Sequence, residues 1–124
     1  MKHARRILIP VALCAFLFAA LSVRAETFLS VLDDVPVMPG MAELTSEAVA
    51  FDAAAGRIVG AAIAGRQRPG LDLGAVLAFY GASLPSLGWR AESPSRFVRD
   101  GEVLELAISS AKGRIRLDFG LRPQ

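Results

Sequence analysis

The stretch Arg96-Phe97-Val98-Arg99-Asp100-Gly101-Glu102-Val103-Leu104-Glu105 decides how the rest of the chain is read. Asp-Gly between two alternating runs is the pair that a two-residue type I′ turn prefers, because both central residues need positive φ. A two-residue turn fixes the register of the strands it joins. It sets Arg99 opposite Glu102, Val98 opposite Val103, Phe97 opposite Leu104 and Arg96 opposite Glu105. Opposite charges and apolar neighbours are the pairings that stabilise antiparallel strands. A β-hairpin is therefore predicted here.

Hairpins continue on both sides of it. Toward the C-terminus, Ser109-Ser110-Ala111-Lys112-Gly113 is read as a turn. Arg114 to Leu121 then alternates, with Ile115, Leu117, Phe119 and Leu121 on one face. Toward the N-terminus, Trp89 to Glu92 is read as a short strand that turns at Ser93-Pro94-Ser95. Before it, Leu73, Val76, Leu77, Tyr80 and Leu84 recur at helical spacing behind Asp72, a good N-cap. Pro85 disfavours helical backbone at Leu84, so the helix should stop about there. Further upstream, Ser46 to Asp52 and Arg57 to Ala64 flank Ala53-Ala54-Ala55-Gly56 and read as another hairpin. Alanine is a poor strand former, so a helix beginning near Arg57 is the competing reading. The expected fold is α+β: an antiparallel sheet of four to six strands, in the order β-β-α-β-β-β-β, with one helix packed on one face.

That architecture leaves a face to cover. A helix is about 10–12 Å wide, whereas six strands spaced about 4.8 Å apart make a face roughly 24–29 Å across. Phe51, Phe97, Leu104, Leu106, Ile108, Ile115, Leu117, Phe119 and Leu121 are too many apolar residues for one helix to hide. The expected cover is the segment upstream, with Phe28, Leu29, Val31, Leu32, Val35 and Val37. A second copy of the chain is the alternative.

The N-terminus has the three parts of a secretory signal peptide in order. Lys2-His3-Ala4-Arg5-Arg6 is basic, Ile7 to Leu21 carries no charge, and Val23 and Ala25 are small or β-branched residues ahead of Glu26. The division is thus a signal peptide over 1–25, cut between Ala25 and Glu26, an extended arm over 26–45, and a single α+β domain over 46–124. Spanning a bilayer takes about 20 apolar residues, so the run is short for a permanent anchor. An uncleaved inner-membrane anchor is the alternative to a periplasmic or secreted protein, and the membrane is met only through this segment.

Removing 1–25 changes the chemistry on offer. The full chain has net charge +2, but Lys2, Arg5, Arg6 and Arg24 lie in the signal, so 26–124 holds ten basic and twelve acidic residues. A net charge of −2 gives no support to nucleic-acid binding. The only histidine, His3, and the only cysteine, Cys14, also precede Glu26. The rest of the chain cannot supply a histidine base, a cysteine nucleophile, the usual zinc ligands or a disulfide. No catalytic residue, cofactor site or metal site is assigned, and an enzyme is not expected.

Weaker constellations each have a plain structural reading. Asp33-Asp34 would need several more oxygen ligands to hold calcium, and solvated turn residues are the simpler account. Met38 and Met41 are soft ligands of the kind that select Cu(I), but packing explains them as well. Arg66 and Arg68 precede the helix N-terminus and are the weak anion-binding candidates, for a phosphate or carboxylate. Arg96, Arg114 and Arg116 form a basic stripe that Glu105 and Asp118 would largely neutralise. Lys112 beside Ser109 and Ser110 suggests a Ser–Lys dyad only in outline, since a loop-tip lysine lacks the burial that would activate it.

With Phe79-Tyr80, Leu84-Pro85 and Gly88-Trp89 in place, the stretch reads Phe-Tyr-x3-Leu-Pro-x2-Gly-Trp. It resembles a pattern in a family of small exported alphaproteobacterial proteins that have no assigned activity. Pro36-Val37-Met38-Pro39-Gly40, and Phe51-Asp52 followed by Gly56-Arg57-Ile58, are similar to the same group. The resemblance implies an exported protein and carries over no catalytic residues. The expected function is a non-enzymatic protein-interaction module, its partner another protein or a second copy. The alternative is a module binding a small ligand or an envelope component in a groove beside the helix.

Overall fold

The structure, a computed structural model, describes residues 26–124; the expected signal peptide, with Ala25 at its end, lies outside the described residues. Among the described residues, seven strands and one α-helix build the fold, so the α+β class holds while the expected four to six strands need correction. The strands are β1 (Ala42–Glu43), β2 (Val49–Ala53), β3 (Gly56–Arg66), β4 (Arg90–Ser93), β5 (Arg96–Arg99), β6 (Glu102–Ala111) and β7 (Arg114–Pro123). The helix α1 spans Leu73–Ser86. All pairings are antiparallel, in the spatial order β1-β3-β7-β6-β5-β4, and β2 lies on the same side of β3 as β1.

The additional strand is β1, which comes from the arm. Its two residues pair with Ala64 and Ile63. A single-turn 3-10 helix (Thr45–Glu47) then carries the chain on to β2. So short a strand has no periodicity to read. Ser46, read as strand, lies instead in that 3-10 turn. The segment from Arg57 to Ala64 is strand, not helix: Ala61, Ala62 and Ala64 are buried, all three pair with β7, and Ala64 pairs also with Ala42 of β1.

The hairpin of β5 and β6 has the predicted register at all four positions. Asp100 and Gly101 have φ of 50° and 77°, the left-handed pair that a type I′ turn requires. The β6–β7 turn is tighter than expected. Ser109, Ser110 and Ala111 belong to β6, and only Lys112 and Gly113 turn, at φ of 53° and 72°.

Asp72 caps α1 by accepting the Ala75 N–H at 2.8 Å. At the other end Pro85 falls inside the last turn, so the helix runs two residues past Leu84. The carbonyl deprived of its donor there is that of Gly81, which is on the exposed side. The Gly88 N–H reaches the Pro85 carbonyl at 3.1 Å and the Trp89 N–H reaches the Leu84 carbonyl at 3.1 Å. With Gly88 at φ 95°, this is a Schellman ending, and its customary apolar partners, Leu84 and Trp89, are both buried.

One face of the sheet carries Val59, Ala61 and Ile63 of β3, Ile115, Leu117, Phe119 and Leu121 of β7, Leu104 and Leu106 of β6, and Phe97 of β5. Helix α1 covers part of it with Val76, Tyr80 and Leu84, while Leu73 is exposed. The arm covers more: Leu29, Leu32, Val35, Val37, Met38 and Met41 join the same buried cluster. The upstream segment, the expected cover of the two alternatives, thus lies on this face. Phe51 is the exception among the apolar residues named for this face. It pairs with Ile58 on the opposite, outer face and is 55% exposed.

A candidate binding groove

The arm folds back on itself before it reaches the sheet. The Leu29 N–H bonds to the Val35 carbonyl at 2.9 Å and the Val37 N–H to the Thr27 carbonyl at 2.7 Å, with Asp33-Asp34 in the turn between. A second turn follows at Met38-Pro39-Gly40-Met41. The Met41 N–H closes it on the Met38 carbonyl at 3.0 Å, and Gly40 has φ 91°. Proline second and a positive-φ glycine third are the marks of a type II turn.

Tyr80 clamps the arm to the helix. Its hydroxyl donates to the Pro36 carbonyl at 2.7 Å and accepts the Met38 N–H at 3.1 Å, and the whole residue is buried. Its ring meets Phe79 and Phe119 edge to face. Burial raises the phenol's pKa well above its ordinary value, opposed in part by the bond from Met38. The sequence places Tyr80 in an apolar stripe and gives no sign of this polar role.

Arg99 ties the arm down at a second point. Its guanidinium lies 4.1 Å from the centre of the Trp89 ring. One nitrogen donates to the Leu87 carbonyl at the helix C-terminus at 3.0 Å, and another pairs with Asp34. A cation suits that helix end. Asp34, weighed as half of a calcium site, is therefore an ion-pair partner. Glu102, opposite Arg99 in register, pairs instead with Arg57 through two bonds of 2.7 and 2.9 Å. That contact holds the Glu102 carboxyl below its ordinary range.

Between the arm and the helix lies a groove of about 800 Å³. Its apolar lining includes Val37, Met38, Pro39, Met41 and Phe79. Glu26 and Glu43 also contribute, and Glu43 is oriented by accepting the Ser30 N–H at 2.7 Å. The wall depends on a close approach. A Cβ at Gly65 would lie 2.7 Å from the Gly40 carbonyl oxygen, so β3 is flat where the type II turn rests on it.

The residues singled out from sequence are dispersed around this frame. Met38 and Met41 both line the groove, and Glu26 lies at its edge in sequence, the first described residue. Arg66 and Arg68 part company. Arg66 is paired directly opposite Arg114, whereas the Arg68 guanidinium lies beside Gly40. The helix N-terminus near them is already served by the Asp72 carboxylate. Of the basic stripe, Arg96 pairs with Glu92 and Glu105, and Arg116 with Glu47 and Asp118. Among the described residues, no group of three or more His, Cys, Asp or Glu side chains is placed to hold a metal ion, and no helix is long and apolar enough to cross a membrane. No family model, curated protein or solved structure matches the chain.

Proposed function

We propose that the protein is an exported, non-catalytic binding module that takes a small apolar ligand or envelope component in the groove between arm and helix. The groove itself carries the reading. At about 800 Å³ it falls within the range of small-molecule sites, and it joins an apolar lining to a few polar groups, as such sites do. Export follows from the signal features that end at Ala25 and Glu26. A non-catalytic role is supported by how the buried polar chemistry is used: the Tyr80 hydroxyl is occupied on both sides by arm backbone.

An uncharged phenylnaphthylamine dye tests the groove, because it brightens on entering apolar sites. Thr27 lines the groove and is exposed, so Thr27→Trp should fill it without disturbing the core. The expected result is saturable brightening by the wild type and its loss in Thr27→Trp at unchanged stability. Equal brightening in both would overturn the reading.

Protein–protein contact is the second reading, favoured by β2. This strand lies at a sheet edge and leaves Val49 52% and Phe51 55% exposed. An edge strand with unpaired backbone groups is a template for another strand. The partner proposed is a second copy, and the solution mass across a concentration series, with and without Phe51→Lys, tests it.

A further inference from the structure

The ion pairs among the described residues engage Arg57, Arg96, Arg99, Arg116 and Arg122, and leave Arg66, Arg68, Arg90, Lys112 and Arg114 without a carboxylate. Three of the latter meet at one end of the sheet. Arg66 and Arg114 are directly opposite each other on neighbouring strands, and Lys112 stands in the turn that leads into Arg114. Like charges directly opposite on a sheet are destabilising, so the pair has no rationale in folding.

The same place holds a pocket. It measures about 300 Å³ and is lined by Ser109, Arg114 and Arg116, together with small or apolar Ala64, Ala111, Ile115 and Leu44; of the three cations, Arg114 is the one in this lining, with Arg66 and Lys112 beside it in register and sequence. Strand alternation puts Ala64, Arg66, Ser109, Arg114 and Arg116 on the outer face, away from the groove between arm and helix. Arg116 is held in position by bonds of 2.7–3.0 Å to Glu47 and Asp118. Arg66, Lys112, Arg114 and Arg116 against Glu47 and Asp118 leave a local charge of +2.

We infer that this end of the outer face is a binding site for a phosphomonoester. A dianion would neutralise the local excess and sit between the two opposed guanidiniums. Arginine's fork of donors suits phosphate oxygens, and the Ser109 hydroxyl can donate to another. The site deepens the sequence-level suggestion for Arg66 by giving it Arg114, two strand positions from the already neutralised Arg116, as its working neighbour. It is independent of the groove, so either can fail alone.

Arg114→Glu separates binding from folding. It converts a like-charged cross-strand pair into an opposite one, so the fold should be as stable as the wild type or more so, while the anion site is lost. Arg90→Glu, on the far edge strand β4, makes the same change in net charge elsewhere. Thermal shift and calorimetry of the purified protein with inorganic phosphate and glycerol phosphate, against sodium chloride at matched ionic strength, give the readout. Flotation with phosphatidic acid vesicles, against phosphatidylcholine, asks whether the phosphate belongs to a lipid. The expected result is a phosphate-specific shift in wild type and Arg90→Glu, and binding weakened at least about tenfold in Arg114→Glu. Binding of the soluble esters alone points to a soluble ligand, and Arg114-dependent flotation points to a lipid headgroup; either supports the site. Equal responses in wild type and Arg114→Glu, or a response to chloride as large as to phosphate, would overturn it.

Discussion

Replacing Tyr80 with Phe removes one atom from the buried centre of the arm–helix contact. The ring and its edge-to-face neighbours, Phe79 and Phe119, are retained, so no cavity forms. What is lost is the partner of two backbone groups, the Pro36 carbonyl at 2.7 Å and the Met38 N–H at 3.1 Å. A buried polar group left unpaired costs about 1–3 kcal/mol, so stranding both should destabilise the protein by about 2–4 kcal/mol if water does not enter. For a domain of this size each kcal/mol moves Tm by about 4–8 °C, so a drop of about 8–32 °C is expected. Urea denaturation should show a lower midpoint with an unchanged slope. Amide exchange gives the residue-level check: the Met38 N–H should lose its protection while the β5–β6 hairpin keeps its own. A midpoint change worth less than about 0.5 kcal/mol, together with an unchanged Met38 amide, would refute the view that Tyr80 holds the arm.

Gly101→Val should destabilise by about 1–3 kcal/mol through backbone strain alone, because nothing lies within 4 Å of the added Cβ; an unchanged denaturation midpoint would count against it. Gly65→Ala should also destabilise, by about 1–3 kcal/mol, and should weaken dye binding in the groove, since its Cβ would meet the Gly40 carbonyl oxygen at 2.7 Å. Burial raises the Tyr80 pKa, so the folded state holds that proton longer than the unfolded one. Its contribution is complete below about pH 10, the ordinary phenol value, and falls away as pH rises further; a pH series of denaturation midpoints for wild type and Tyr80→Phe should therefore converge on the alkaline side. N-terminal sequencing of the exported protein should begin at Glu26, and a product that starts at Met1 would refute cleavage after Ala25.

What was legible in the sequence is what local chemistry decides. Asp100-Gly101 demands two positive φ values, and Val98, Val103, Phe97 and Leu104 then have one register in which apolar residues meet. The helix shows itself through Asp72 and the spacing of Val76, Tyr80 and Leu84. The illegible parts depend on partners distant in sequence. Arg99 faces Glu102 in register yet pairs with Asp34, 65 residues away, because the arm brings that carboxylate over Trp89 and the helix end. Phe51 reads as core because it alternates with alanine. Yet β2 sits at the edge of the sheet, and the face that Phe51 shares with Ile58 is the outer one.

The same distinction explains why both proposed sites were dim in the sequence. The groove is made by a segment whose turns, Asp33-Asp34 and Met38-Pro39-Gly40-Met41, look like irregular chain until β3 and α1 supply a surface for them. Gly65 and Tyr80 fix that surface, one by lacking a side chain and the other by a single hydroxyl. The phosphate site is hidden in another way. Arg66 and Arg114 are 48 positions apart, and each alone is an ordinary strand-end arginine. Only the pairing of β3 with β7 sets them face to face, and only the ion pairs formed by Arg116 show that the carboxylates nearby are already committed. A basic stripe that a residue count would call neutral thus has an uncompensated end. The uneven pairing, rather than the net charge, marks where an anion would bind.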